Sequence, residues 1–111
     1  MTKEVVGNYI RAHRRRLNLS QLELGRLVGY NYGSVVGRHE RSSAAPPLLV
    51  ALAYEIVFDV PVAELFTGFH ATVMQAVARN LEELKALEKA NGESRKSNPA
   101  KNRWLLEKRF G

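Results

Sequence analysis

The chain has 111 residues, of which 45% are hydrophobic, and it carries a formal net charge of +6 and no cysteine. This length allows one small globular core with an appendage, and the lack of cysteine excludes disulfides, thiol catalysis and cysteine-based metal sites. The positive charge favours a polyanionic partner, which is either nucleic acid or an anionic membrane surface.

A membrane-spanning segment is not expected. The longest uncharged apolar stretch, residues 44–54, contains two prolines and is far shorter than the roughly 20 residues needed to cross a bilayer. Residues 1–16 mix charged and apolar positions and predict no secretory signal. We therefore expect a cytoplasmic protein without membrane contact.

Apolar residues recur at three- and four-residue spacing along most of the chain, which predicts an all-α fold. The first helix is predicted over residues 3–17, closed by Asn18. Its inward stripe comprises Val6, Ile10, His13 or Arg14, and Leu17.

The second and third helices are predicted from their end signals. Ser20 is expected to cap the second helix, which turns Leu24, Gly25 and Val28 inward and ends at Gly29 with a positive φ. Asn31 or Ser34 is expected to cap the third helix, which reaches about Arg41 and turns Val36 and His39 inward.

Glycine and proline divide the rest of the chain. After a loop over residues 42–47, a fourth helix with Pro47 in its first turn is predicted to run through Leu48, Ala51, Leu52, Glu55 and Ile56. A fifth helix follows Pro61 as far as Phe66, and Gly68 is expected to separate it from a longer helix over residues 71–91. A polar linker over residues 92–102 precedes a last short helix over residues 101–110, starting near Asn98-Pro99.

Two segments show a resemblance to a known family. Residues 20–30, SQLELGRLVGY, followed by residues 34–41, SVVGRHER, resemble the Cro/repressor (XRE) helix-turn-helix pattern S-Q-x-x-L-A-x-x-x-G, a turn, then x-I-S-x-x-E. Ile10-Arg11, Arg14 and residues 60–66, VPVAELF, extend the resemblance to roughly residues 5–66. It implies a five-helix lambda-repressor-like DNA-binding domain over residues 1–68, followed by a helical extension with a basic tail over residues 69–111.

The sequence departs from this family pattern in four places. Asn31-Tyr32-Gly33 replaces two turn positions, Gly25 stands where alanine is usual, and Gly37 occupies the usual serine position on the DNA-facing side. The loop after Arg41 holds no Lys or Arg before Pro47, so we expect it to bind phosphate weakly.

The resemblance also implies a DNA-reading surface, with the third helix in the major groove and the start of the second helix at a phosphate. Arg38 is expected to bind guanine O6 and N7, and Gln21 and Arg41 to meet phosphates; the alternatives are a solvated Arg38 and a Tyr32 that packs over the turn. The resemblance pairs Arg14 with Glu40 as a structural ion pair. The predicted DNA-binding residues are Gln21, Asn31, Tyr32, Gly33, Ser34, Gly37, Arg38 and Arg41.

Enzymatic chemistry is not expected. His13, His39 and His70 lack the spacing of metal ligands, and the adjacent Glu82 and Glu83 diverge on a helix. The sequence contains no glycine-rich phosphate loop and no nucleophile elbow. We therefore expect no catalytic residue, no metal and no cofactor.

The extension predicts self-association. Met74, Val77, Leu81 and Leu84 recur at 3, 4, 3 spacing, widened by Val73 and Leu87, which favours a homodimer through residues 71–91; the alternative is a helix that packs on its own domain. Residues 68–111 hold nine Lys or Arg against five Glu, a balance that attracts DNA or solubilises the end. Four apolar residues indicate docking on the domain or on a protein partner: Trp104, Leu105, Leu106 and Phe110.

Three functions follow from these patterns. The first is a sequence-specific regulator of transcription, acting as a repressor and binding double-stranded DNA as a dimer. The second is an antitoxin-like or adaptor protein that binds a partner through its C-terminal extension. The third is a non-specific DNA binder driven by the basic tail.

Overall fold

The computed structural model describes residues 7–91 and 98–110, and every regular element in these two ranges is an α-helix. The all-α expectation is confirmed for this part of the chain. Two compact units are present, unit 1 (Met1–Ala71) and unit 2 (Thr72–Gly111). The helices are α1 (Ile10–Arg16), α2 (Gln21–Val28), α3 (Ser34–Glu40), α4 (Leu48–Phe58), α5 (Val62–Leu65), α6 (Thr67–Asn91) and α7 (Pro99–Glu107).

The core of unit 1 is built from all of its first five helices. α2 packs against α3 and α4, and α1 contacts both of these helices as well. Burying such side chains is the main source of stability in a domain of this size. The buried cluster consists of Ile10, Leu24, Val28, Val36, Tyr54, Leu65 and Phe66.

α1 is shorter than predicted. Val6 lies outside the described residues. Residues 7–9 are not helical, because the Asn8 side chain takes up hydrogen-bonding groups at the start of α1 and at the end of α3. Asn8 Oδ1 accepts from Ile10 N at 3.0 Å, while Asn8 Nδ2 donates to the carbonyl oxygen of His39 at 2.8 Å. Leu17 is 53% exposed, so its predicted inward position is wrong.

The predicted ends of α2 are confirmed. Ser20 Oγ accepts from Glu23 N at 3.0 Å, and Glu23 Oε1 accepts from Ser20 N at 2.9 Å, which completes a capping box. The backbone N–H of Ser20, and then its hydroxyl, lower the pKa of the Glu23 carboxyl. Gly29 ends the helix at φ 108°, a conformation that only glycine adopts at no steric cost.

The caps of α3 and α4 differ from prediction. Neither Asn31 nor Ser34 caps α3, since Gly33 holds the N-cap position without a side-chain hydrogen bond. Pro47 precedes α4 as its N-cap instead of lying in its first turn. The inward positions of Val36 and His39 are confirmed, because both side chains are buried.

α6 begins earlier than predicted. Gly68 does not separate two helices but lies in the first turn of α6, where its N–H donates to the Gly7 carbonyl oxygen at 2.8 Å. A first-turn N–H has no partner within its own helix, and here the Gly7 carbonyl oxygen supplies one.

Unit 2 is a pair of helices joined by residues outside the described part of the chain. Leu81 of α6 and Leu105 of α7 are buried and line one groove, and Lys101 Nζ lies 3.0 Å from Glu88 Oε2. The predicted start of α7 is confirmed, with Asn98 Oδ1 accepting from Lys101 N and Pro99 in the first turn. Within residues 7–91 and 98–110, no helix combines the length and apolarity needed to span a membrane.

Candidate nucleic-acid interface

A polar network joins α1, α2 and α3. The Glu40 carboxylate, at the end of α3, accepts from Arg14 Nε at 2.5 Å and from Arg14 Nη2 at 3.3 Å. Its Oε1 also accepts from Gln21 Nε2 at 3.1 Å, and Arg14 Nη1 donates to the Leu19 carbonyl oxygen at 2.8 Å. Glu40 therefore fixes Gln21 as well as Arg14, so both side chains are oriented before any ligand binds.

The connection between α2 and α3 is held by two close backbone approaches. A Cβ on Gly25 would lie 2.8 Å from the Tyr32 carbonyl oxygen, and a Cβ on Gly33 would lie 2.8 Å from the Leu22 nitrogen. Only glycine lets the turn approach α2 this closely. Gly33 therefore acts through packing, and it brings the start of α3 beside the first turn of α2.

α3 presents few side chains to solvent. Ser34 and Arg38 are its exposed residues, and Arg41 follows as an exposed C-cap. The Arg38 carbonyl oxygen accepts from Ser43 N at 3.0 Å, whereas the Arg38 guanidinium makes no hydrogen bond or ion pair with the described residues. Ser34 and Arg38 are four residues apart and so lie on one face of the helix.

Gly37 is buried, which corrects its predicted position on an open DNA-facing side. A Cβ there would lie 3.1 Å from Arg41 Nη1 and 3.3 Å from Gln21 Nε2. The side chains of Gln21 and Arg41 therefore both lie over Gly37 of α3. A serine at this position would push the Arg41 guanidinium back by a few tenths of an ångström, because 3.1 Å is closer than ordinary van der Waals contact.

Comparisons with protein-family models, curated proteins and solved structures found no significant match to this chain.

Asn31 and Tyr32 are exposed in the turn before α3. The Tyr32 ring lies 6.2 Å from that of Tyr30, and the Tyr30 ring lies 6.2 Å from that of His39. Tyr32 thus packs beside Tyr30 and still keeps an exposed side. Both the packing role and the ligand-contacting role considered for Tyr32 are compatible with this position.

A buried hydrogen bond ties α3 to α4. His39 Nδ1 and the Tyr54 hydroxyl are 2.8 Å apart, and their rings meet edge to face. Burial, and next the charge of Arg38, lower the pKa of His39. Burial, followed by Tyr30 and Glu40, raises the pKa of Tyr54. Both shifts favour the neutral form of the side chain, and the hydrogen bond anchors the exposed face of α3 from behind.

Sequence reasoning missed two of the side chains that position this surface. Asn8 Nδ2 donates to the carbonyl oxygens of His39 and Glu40 and to Ser42 Oγ, at 2.8, 3.2 and 2.8 Å. The sequence marks Asn8 as a possible helix cap, since asparagine is common before a helix. Nothing in the sequence indicates its hydrogen bonds to residues 31 to 34 positions away. Tyr54 had no signal beyond its place in an apolar helix.

The remaining histidines lie elsewhere in unit 1. His13 and His70 line a cleft that also includes Tyr9 and Glu64, and the His13 ring packs 5.6 Å from that of Phe58. In the described ranges, no three His, Asp or Glu side chains are grouped as metal ligands would be. The absence of catalysis remains a prediction from the sequence.

Proposed function

We propose that this protein is a sequence-specific double-stranded DNA-binding regulator of transcription, acting as a repressor, with a lambda-repressor-like helix-turn-helix in unit 1. One observation supports this most strongly: α3 exposes only Ser34 and Arg38, and the polar side chains of Gln21 and Arg41 both lie over Gly37 of the same helix. This arrangement offers the Arg38 guanidinium, which makes no hydrogen bond or ion pair with residues 7–91 and 98–110, together with further hydrogen-bond donors from Gln21 and Arg41.

The proposed mode of binding follows from the donors present. α3 enters the major groove, and the planar fork of Arg38 binds guanine O6 and N7. Glu40 accepts one N–H of the Gln21 amide, so the second N–H is available to a phosphate oxygen near the positive end of α2. Arg41 neutralises a phosphate, a contact that positions the protein without reading sequence.

We further propose that the regulator binds as a homodimer, since paired recognition helices read two half-sites about 34 Å apart. The predicted seam on α6 is not open along its whole length, because Leu81 is buried within unit 2. Four apolar residues of α6 remain exposed: Val73, Val77, Leu84 and Leu87.

The first experiment selects binding sites from a random duplex pool and then measures anisotropy on a selected and a scrambled duplex across a salt series. Arg38→Ala should lower the preference for the selected duplex by about 5- to 150-fold, the equivalent of 1 to 3 kcal/mol. Arg79→Ala is the matched control, because it removes one exposed arginine from unit 2 and should leave the preference unchanged.

Two other results would redirect the assignment. Equal, steeply salt-dependent binding to every duplex would contradict sequence-specific regulation and support non-specific attraction by the basic surface. An unchanged preference in a folded Arg38→Ala variant would contradict the role given to Arg38.

An antitoxin-like or adaptor function is the second candidate, and one observation favours it. The groove between α6 and α7 has Leu81, Leu105 and Phe110 among its lining residues, with Lys85 and Lys108 beside them, and Trp104 and Leu106 are exposed nearby on α7. A stoichiometric protein partner lost on Leu106→Gln, while DNA binding is retained, would support this function. Retention of that partner by the variant would contradict a role for this surface.

A further inference from the structure

The outer side of α4 is apolar throughout. Every residue of this helix that is exposed is leucine or isoleucine, and the exposed fractions are 72% for Leu48, 79% for Leu49, 41% for Leu52 and 81% for Ile56. Glu55 is the acidic residue of α4, and its Oε1 accepts from Val62 N at 2.9 Å. A helix that is apolar on all sides belongs in an interior, so this face is built to be covered.

The exposed area is large enough to form the centre of an interface. At about 0.8 kcal/mol per buried methylene and about 25 cal/mol per Å², a four-carbon side chain has about 130 Å² of apolar surface. The four exposed fractions then add up to roughly 350 Å². Patches of about 300 to 600 Å² are the largest on typical monomers and are often functional. A specific interface buries about 800 Å² per partner with an apolar centre and a polar rim, so the patch matches such a centre.

The absence of charge on this face favours a second copy of the chain as its occupant. DNA would find no cation there, and a charged protein partner would gain no ion pair. A second copy of the chain presents the same uncharged face, and two-fold pairing brings identical patches together. Leu48, Leu52 and Ile56 follow one another at intervals of four, the row of side chains that forms a ridge when two helices pack.

The apolar stripe of α6 is the rival surface, and it is less suited to pairing. Val73, Val77, Leu84 and Leu87 are 39–60% exposed. The 4, 3, 4, 3 spacing that would join them passes through Asn80, an exposed amide at the middle of the row. A polar residue in such a seam reduces stability, whereas no polar residue interrupts the exposed side of α4.

We propose that two copies of this chain pair through the apolar face of α4, and that this contact sets the separation of the two α3 helices. The second part of the proposal rests on the proposed DNA-binding function, whereas the pairing itself does not. The connection from α4 to α3 is direct, because Tyr54 on the buried side of α4 holds His39 of α3 at 2.8 Å. A shift of α4 at the contact therefore moves α3 with it.

The first test is sedimentation equilibrium of the full chain over a range of micromolar concentrations. The wild type should approach twice the mass of one chain. Leu49→Gln combined with Ile56→Gln should weaken dimerisation at least tenfold, and Val73→Gln combined with Leu87→Gln is the matched control on α6, expected to change it less than about threefold. Circular dichroism checks folding, which these exposed positions should not disturb.

The second test uses the absence of cysteine from the chain. Leu52→Cys places one thiol in the middle of the patch, where two-fold pairing brings each residue near its own copy, and oxidation should give a covalent dimer. Leu87→Cys on α6 should give no covalent dimer under the same conditions. This test stands even where the glutamine variants unfold.

Three results would overturn the proposal: a monomeric wild type throughout the range, a monomer produced by the α6 pair and not by the α4 pair, or cross-linking at Leu87 in place of Leu52. The two proposals fail separately. A dimer through α4 that prefers no duplex would support the pairing and contradict sequence-specific regulation. A monomer that binds one duplex specifically would contradict the pairing and support sequence-specific binding.

Discussion

Replacing Glu40 with alanine tests the polar network that joins the first three helices. The Glu40 side chain is 4% exposed and that of Arg14 is 11% exposed, so the variant leaves a buried guanidinium without its carboxylate. Breaking a buried pair from one side typically costs about 3 to 5 kcal/mol. This loss is a large part of the free energy of unfolding of a typical domain, which is about 5 to 15 kcal/mol. Each kcal/mol lowers the melting temperature of a small domain by about 4 °C or more, so we expect a decrease of at least about 12 °C.

Urea unfolding followed by circular dichroism measures this loss, and two variants serve as references. Glu64→Gln removes one exposed carboxylate from unit 1 and should change the free energy of unfolding by less than about 0.5 kcal/mol. Arg14→Leu combined with Glu40→Leu should recover much of the stability, because no lone charge remains buried. A loss below about 1 kcal/mol for Glu40→Ala would refute the argument that the pair is buried and mutually dependent.

Three further predictions concern stability. Asn8→Ala removes the donor to the ends of α3 and should cost about 1 to 3 kcal/mol in thermal unfolding; a change under 0.5 kcal/mol would contradict this. Gly25→Ala should destabilise the fold by about 1 to 3 kcal/mol, because the new Cβ would lie 2.8 Å from the Tyr32 carbonyl oxygen. At an open helix position the same change would stabilise by up to about 1 kcal/mol, so an increase in the urea midpoint would disprove the close approach. Because the pKa of His39 is lowered in the folded state, the unfolded state binds more protons, and the free energy of unfolding should fall as the pH drops below about 6.5. The free energy of unfolding should depend less steeply on pH in His39→Gln. Equal slopes in the two proteins would argue against burial of a neutral ring.

Features set by neighbouring residues were predictable from the sequence. The Ser20 cap, the left-handed Gly29 and the inward face of α2 all depend on residues within one or two helical turns, and the structure has them where the pattern indicates. The start of α7 at Asn98-Pro99 belongs to the same class. Local capping chemistry and helical periodicity are sufficient for such elements.

Features set by distant parts of the chain were not predictable. The late start of α1 depends on hydrogen bonds from Asn8 to residues 39 and 40, and the place of Gly68 inside α6 depends on Gly7. Leu17 fits the helical period but points to solvent. In the candidate site, the exposed positions of Ser34 and Arg38 followed from periodicity, whereas the burial of Gly37 under Gln21 and Arg41 follows from tertiary packing.

Within unit 1, residues 7–9 lie beside residues 65–68. Tyr9 N donates to the Leu65 carbonyl oxygen and Gly68 N donates to the Gly7 carbonyl oxygen, each at 2.8 Å. A linker that returns from residue 68 to residue 7 would therefore be short, and we expect the helices between these residues to tolerate a cut in the loop over residues 42–47, as adjacent ends permit. The fold would then not depend on the order in which these helices are synthesised.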